Sequence, residues 1–318
     1  MKDINKALKS FAKEIIFFED LNDSNLWNSK ILEEEFNSIK IFSNYIKYYQ
    51  SYFNAEKNNS FKITIDNISV VNLMFSNEEK IIFFDPVLNN YFFKNSHKIE
   101  IFYKNLFDHI YTKTNKKIII YDLPNPNKNI DFYYFIISKY KDLRYSFDLY
   151  VDLTKDINQI WASIRKSYKS LINKSKNLLE FSIEKSPEKM KKLKKLHLKI
   201  SGRVTRSNST WQIQEKMIND DQGIIFDIKL FGQTVGMSFF TYDKKIAYYD
   251  IGVYERDISK KYNISHFMIW NAVNYFKSTG KDKIYLDKYK LTEDPKIIDI
   301  VNFKLGFSNL KILSATTN

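Results

Sequence analysis

One order of periodicities, read twice along the chain, constrains the fold more than any other feature of the sequence. In the second half, the β-branched and aromatic runs 223–230, 233–242 and 245–254 are separated by turn residues and predict an antiparallel meander. A helix over 259–278, a strand over 283–287, a helix over 295–304 and a strand over 310–314 follow. The first half has the same order, with strands at 61–65, 69–75 and 80–84, a stop at Asp85-Pro86, a helix over 99–112 and a strand over 117–122. A loop carrying Pro124 and Pro126, a helix near 131–140 and a strand near 145–153 complete it. The nine-residue stretches starting at Thr114 and Thr279 agree at four of nine positions, and Ser96-His97 matches Ser265-His266. A spacing of about 165 residues favours a duplicated α/β unit with mixed sheets.

Each unit has a helical preface. The first is expected at 5–18 and 25–55, and the second at 157–178 and 187–200 with a strand at 181–184. A chain of 318 residues exceeds the usual size of one core, so domains at 1–145 and 146–318 are expected. The boundary carries no Gly/Ser or Pro-rich linker.

Composition removes several function classes. There is no cysteine, hence no disulfide, thiolate metal site or cysteine nucleophile. The four histidines (His97, His109, His197, His266) lack metal-ligand spacing, and no metal is expected. No apolar run approaches the roughly 18 residues of a spanning helix, so a cytoplasmic protein without membrane insertion is expected. The net charge of +13 comes from 50 basic residues, of which only five are Arg. Scattered Lys makes a solvated surface more readily than the bidentate fork that Arg offers, so no specific nucleic acid is expected.

Particular residues then carry a resemblance. Asp152-Leu153, Trp161, Arg165, Tyr168, Ile172 and Lys174-Ser175 resemble the entry helix of Fem-like domains. Tyr248-Tyr249-Asp250, Ala272, Gly280, Tyr285-Leu286-Asp287 and Phe303-Lys304 with Gly306-Phe307 resemble its later landmarks. The chain therefore resembles the tandem GNAT and Fem-like acyltransferases, over 150–310 in residues and over 1–145 in element order alone. Within that superfamily its length and layout are most similar to enzymes that N-acylate dTDP-linked 3-amino-3,6-dideoxyhexoses for surface polysaccharide.

The resemblance implies two tandem GNAT-like domains, the first a non-catalytic wall and the second binding acyl-CoA. Its cofactor site would comprise Ile251, Gly252, Val253, Tyr254, Lys260, Lys261, Asn263 and Ser265. The anion would lie at a helix start, where unpaired N–H groups and the dipole favour negative charge. Asn263 and Ser265 stand where the family has glycines. Asn tolerates a left-handed backbone and Ser is small, so the turn remains possible.

Three residues are candidate proton carriers. Asp250 could take the proton an amine must lose before attacking a thioester, or pair with a lysine or backbone N–H. Asp287 stands at the expected strand end, where open α/β sheets place ligands, or simply terminates the strand. His197 could act as a base or be structural. Arg165, Arg203 and Arg206 place three of the five arginines within 42 residues and suit a phosphate. Trp211 could stack on a base or sugar, and Tyr249, Lys288, Tyr289 and Lys304 could position the acceptor.

The expected function is N-acylation of a nucleotide-linked amino sugar by acetyl- or 3-hydroxybutanoyl-type acyl-CoA, through a ternary complex. A Fem-like aminoacyl-tRNA-dependent ligase and a non-catalytic RNA-binding protein are the alternatives.

Overall fold

The computed structural model describes residues 2–11, 14–21, 23–34, 36, 38–65, 67–84, 87–88, 97–121, 143–290 and 292–317. The expected stop at Asp85-Pro86, the end of the first-half strand at Asp122, the Pro124/Pro126 loop and the helix near 131–140 lie outside them. The chain forms two compact units, residues 1–146 with 313–318, and residues 147–312.

In the first unit, helix α1 (Lys2–Phe11), strand β1 (Glu14–Phe17), helix α2 (Ser24–Glu33), a 3-10 turn (Ile39–Ile41) and helix α3 (Ser43–Tyr52) precede the strands. The helix expected over 5–18 thus ends early, because the apolar run of β1 pairs with β3 (Phe61–Ile65). Strand β4 (Ile68–Asn72) completes the order β1-β3-β4-β7 with β7 (Val87–Leu88). A second sheet has the order β2-β5-β6-β8, from Lys57–Asn58, Met74–Ser76, Lys80–Phe84 and Lys117–Tyr121. The run 69–75 is therefore two strands in two sheets. Asn72 ends the first, its side-chain amide donating to Phe84 O while its oxygen accepts from the Tyr103 hydroxyl. Helix α4 (His97–Lys113) buries Ile99, Phe102, Leu106 and Ile110 against one core. Trp27, Ile31 and Ile46 of α2 and α3 fill another with Phe75 and Phe84.

The second unit is built on a sheet of order β10-β11-β12-β13-β14-β9-β15. These strands are β9 (Leu143–Asp152), β10 (Leu179–Glu184), β11 (Gly223–Leu230), β12 (Gln233–Tyr242), β13 (Ile246–Tyr254), β14 (Lys283–Lys290) and β15 (Leu310–Thr317). Helix α5 (Ile157–Ser163), with a capping box from Asp156 and Gln159, and α6 (Lys166–Ser175) replace the single helix expected over 157–178. The break falls at Ile164 and Arg165, whose extended backbones cannot continue a helix. Helix α7 (Glu188–Ser201) ends on Gly202 at φ 69°, and α8 (Asn208–Asn219), which the sequence reading did not anticipate, follows. Helix α9 (Arg256–Tyr262) and α10 (Ile264–Ser278) divide the expected helix 259–278 at Asn263, whose φ is 54°. Helix α11 (Pro295–Leu305) leads to β15.

Ile264, Phe267, Met268 and Phe276 of α10 form one core with Phe226, Phe240 and Ala247 from the sheet. Helix α7 packs on β13 and α8 on β11, and Met190, Leu193, Trp211, Met217 and Ile218 are buried there. At about 25 cal/mol per Å² of apolar surface, each such side chain contributes roughly 1.5–3 kcal/mol.

Candidate functional site

Two irregularities in β13 define the site. The first is a parting of strands. Parallel pairing of β13 with β14 covers Ile246↔Lys283, Ala247↔Ile284 and Tyr248↔Tyr285, and stops there. From Tyr249 onward β13 keeps its ladder to β12, while β14 continues to Lys290. The second is a β-bulge. Phe239 faces Ile251 but Phe240 faces Tyr249, so Asp250 is the extra residue. A bulge re-aims the side chain it carries. The Asp250 Oδ2 accepts from Thr241 N at 3.1 Å and Thr241 Oγ1 at 2.6 Å, which pins the carboxylate to β12.

Arg206, in the loop between α7 and α8, reaches the bulge. Its Nη2 lies 3.5 Å from the Asp250 carbonyl oxygen and its guanidinium 5.6 Å from the Trp211 ring centroid. Its Nη1 is buried with no partner among the described residues. The His197 ring meets Trp211 edge-on at 5.5 Å. Burial, and secondly the charge of Arg206, lower the His197 pKa below its ordinary value, so the imidazole is neutral near pH 7 and able to accept a proton. Gln214, one turn beyond Trp211 and 2 % exposed, has an Oε1 with no partner among the described residues. The structure thus brings together His197 of α7, Arg206 and Trp211 of the α7–α8 loop and α8, and Asp250 of β13. Gln214 was missed. Ser207, whose hydroxyl caps α8 by accepting from Thr210 N at 3.4 Å, was the available signal.

The other anticipated substrate residues sit differently. Arg203 is exposed in the α7–α8 loop, where its backbone N–H donates to Ser201 Oγ. Arg165 does not share partners with Arg206. Its Nη1 donates to the Tyr168 hydroxyl at 3.1 Å and its N–H to Gly306 O at 2.9 Å. Tyr168 in turn packs with His266, Phe303 and Phe307. Trp161 meets Trp270 at 4.6 Å, and Ser175 Oγ donates to Tyr262 O at 2.7 Å. These residues fasten α5 and α6 to α9, α10 and α11.

Asp287 does not end its strand. It lies inside β14 at φ 121°, a conformation costly for a residue with a Cβ. Its Oδ2 accepts from Lys304 Nζ at 2.6 Å and its Oδ1 from Lys288 N at 2.8 Å. The pair ties α11 to β14. Lys288 Nζ is 4.0 Å from Asp148, and Tyr289 packs against the main core.

Of the anticipated cofactor residues, Ile251 and Val253 are buried and Gly252 is exposed. The hydroxyls of Tyr249 and Tyr254 lie 2.7 Å apart. Burial pushes the Tyr249 pKa up to about 12 and raises that of Tyr254 as well, so both phenols stay neutral. Lys260 and Lys261 belong to the last turn of α9, and Ser265 to the first turn of α10.

No protein family and no curated protein matches this chain in sequence. Solved structures do match in shape. The chain is similar to FemX with a TM-score of 0.67 at 10% identity, covering 95% of each chain. It is similar to L-PGS from Bacillus licheniformis with a TM-score of 0.60 at 12% identity, covering 92% of this chain and 90% of the other. A tandem GNAT protein from the clavulanic acid biosynthesis pathway gives a TM-score of 0.51 at 10% identity, covering 96% and 98%. At these identities the likeness establishes the fold, which is a mixed α/β, tandem GNAT-like one. Among the described residues no helix is long and apolar enough to cross a membrane.

Proposed function

We propose that this protein transfers an acyl group from acyl-CoA to the amine of a nucleotide-linked amino sugar, of the dTDP-3-amino-3,6-dideoxyhexose type, with the chemistry in the second unit. One observation carries the reading, the parting of β13 from β14 beside the bulge at Asp250. Parted parallel strands leave main-chain donors and acceptors along β13 for an extended thioester to use. Among the described residues the first unit shows no such parting. Its parallel pair, β6 with β8, stays in register from Lys80↔Lys117 to Phe84↔Tyr121, and Phe53, Phe84 and Tyr121 pack together at its end.

In the proposed reaction the amine lone pair attacks the thioester carbonyl, the N–C bond forms and the C–S bond breaks. Backbone N–H groups around Ile251–Val253 hold the oxyanion. The amine proton passes to the Asp250 carboxylate, with His197 as the neighbouring neutral base, and the thiolate takes a proton on leaving. Arg206 would bind the sugar-nucleotide phosphate and Trp211 would stack on the base or sugar ring.

A second reading, an aminoacyl-tRNA-dependent ligase of Fem type, draws on helix α7, which carries six lysines and one glutamate next to the Arg206 loop. A thermal-shift series with acyl-CoAs, dTDP-sugars and tRNA tests both. A ligand at 100 times its Kd stabilises the fold by about 2.7 kcal/mol. Shifts with acyl-CoA and dTDP-sugar support the first reading, and a shift with tRNA alone replaces it by the second.

A further inference from the structure

Strands β11 and β12 are joined by Phe231 and Gly232 alone, between the paired ends Leu230 and Gln233. Both residues take a positive φ, 50° at Phe231 and 76° at Gly232, as a two-residue type I′ hairpin turn requires. The second position has the glycine such a turn favours. The first has a phenylalanine where Asn, Asp or Gly fits best, because a left-handed backbone crowds a bulky side chain. The ring gains little from the fold in return, since Phe231 is 80 % exposed. A second apolar residue stands beside the turn. Strand β10 pairs with β11 as far as Leu179↔Leu230, so Leu178 and Phe231 lie one step beyond that last pair, and Leu178 is 45 % exposed. The stretches that carry them, 173–178 and 229–234, hold three lysines and no carboxylate. Lys174 and Lys176 are exposed, and Lys192 of α7 brings a further ammonium to the hairpin by donating to Thr234 Oγ1 at 2.6 Å. Of the neighbouring carboxylates, Glu180 faces Lys229 across the ladder, and Asp227, 3.9 Å from the Lys192 ammonium, is fully buried.

A single exposed apolar side chain needs no explanation. One held at a strained φ does, because Asn at the same position would relieve the turn and suit water better. An aromatic ring and a leucine at a tip flanked by lysines match the boundary of an anionic bilayer, where apolar groups enter the headgroup layer and ammonium groups meet phosphates. A nucleic acid would meet the lysines and stack on the ring, but it would leave Leu178 in water. We propose that this hairpin tip, Phe231 with Leu178 and the flanking lysines, docks the protein on the surface of a bilayer that carries anionic phospholipid. Such a contact needs no spanning helix, and it is independent of the acyl-CoA reading above.

The test is co-sedimentation of the full chain with vesicles of phosphatidylcholine containing about 30 mol% phosphatidylglycerol, and with vesicles of phosphatidylcholine alone. The wild type is expected to partition at least tenfold more onto the anionic vesicles, with roughly fivefold coming from each lysine that reaches the surface. It should leave them in about 1 M salt, where the Debye length falls to about 3 Å. Phe231→Asn should lower the partitioning about tenfold or more, because it removes the group that enters the bilayer. Its melting temperature should be no lower than that of the wild type, since Asn accepts the positive φ, which separates a lost contact from a lost fold. Lys174→Gln combined with Lys176→Gln should lower the partitioning about tenfold as well. Equal partitioning of the wild type onto both kinds of vesicle overturns the proposal, as does partitioning that Phe231→Asn leaves unchanged. Binding of tRNA that Phe231→Asn weakens, with no binding to either vesicle, also overturns it and assigns the tip to nucleic acid.

Discussion

Asp250→Asn separates the two things a carboxylate at the bulge can do. Its Oδ2 accepts two hydrogen bonds from Thr241, one from the backbone and one from the hydroxyl. A hydrogen bond to a charged group contributes about 1.5–3 kcal/mol and a neutral one about 0.5–1.5, so the amide should lose roughly 1–3 kcal/mol across the two bonds. Urea unfolding measures that loss as a lower midpoint with an unchanged slope. As an anchor alone, Asp250 would give this stability change and a kcat near normal. As the group that takes the amine proton, it should also give a kcat lower by about 10²-fold or more with little change in sugar KM. Thr241→Val is the companion variant, since it removes the 2.6 Å bond but keeps the carboxylate. It should cost about 1–2 kcal/mol of stability and much less activity than Asp250→Asn. A folded Asp250→Asn protein with near-normal kcat would refute the proposed proton transfer and leave the anchoring role standing.

Arg206→Ala should raise the sugar KM ten- to a hundredfold (roughly 1.5–3 kcal/mol) and leave the CoA KM fixed, with Lys rescuing only part. Arg203→Ala should do less, because Arg203 is exposed and does not share the contacts of Arg206; steady-state kinetics on both variants reads the difference. Gly306→Ala would place a Cβ 2.1 Å from Tyr168 Cε2, inside the His266–Phe303–Phe307 cluster, and should destabilise by about 1–3 kcal/mol in denaturant melts. Burial, and secondly Arg165, lower the His266 pKa to about 4 from 6.5, so the unfolded chain binds the extra proton in that window. Stability should therefore fall as pH drops from 6.5 towards 4, by at most about 1.4 kcal/mol per unit, and His266→Phe should flatten that dependence in urea titrations. Acyl-CoA should slow amide exchange along 249–266 and leave 80–84 and 97–113 unchanged; protection in the first-unit segments would overturn the assignment of chemistry to the second unit.

What the sequence made legible was what local chemistry controls. Asn263 could be read as a residue able to take the left-handed turn, and it sits at φ 54° between two helices. Most of the second-unit strands fall within a few residues of their periodic runs, because both faces of the sheet are covered and the apolar signal is strong. The breaks were harder. Nothing like Gly or Pro marks the division at Ile164 and Arg165, which is held from outside by the Arg165 N–H to Gly306 O bond. Helix α8 went unseen although Thr210, Trp211, Gln214, Met217 and Ile218 recur at helical spacing, since its polar start reads as loop. Asp250 was singled out by its position, but the bulge that aims it depends on register with β12, and register is a tertiary property.

That dependence shows in how the parallel strand pairs of the two units differ. Both units contain a parallel strand pair whose strands are separated in sequence by a long helix, α4 in the first and α10 in the second. In the first, five consecutive residues pair, and the rings of Phe84 and Tyr121 stack at the last described pair. In the second, the pairing stops after Tyr248 and Tyr285, the bulge at Asp250 follows within two residues, and Asp287, two residues beyond Tyr285, takes a positive φ held by Lys304. Each deviation costs free energy locally, and each has an identifiable support, Thr241 for the bulge and Lys304 for the strained aspartate. Strain supported on both strands at the same level of the sheet is what an opening for a ligand requires, because relaxing either strand would let the ladder close. The lysine–aspartate pair holds β14 in that conformation from α11, as Thr241 holds the bulge of β13 from β12.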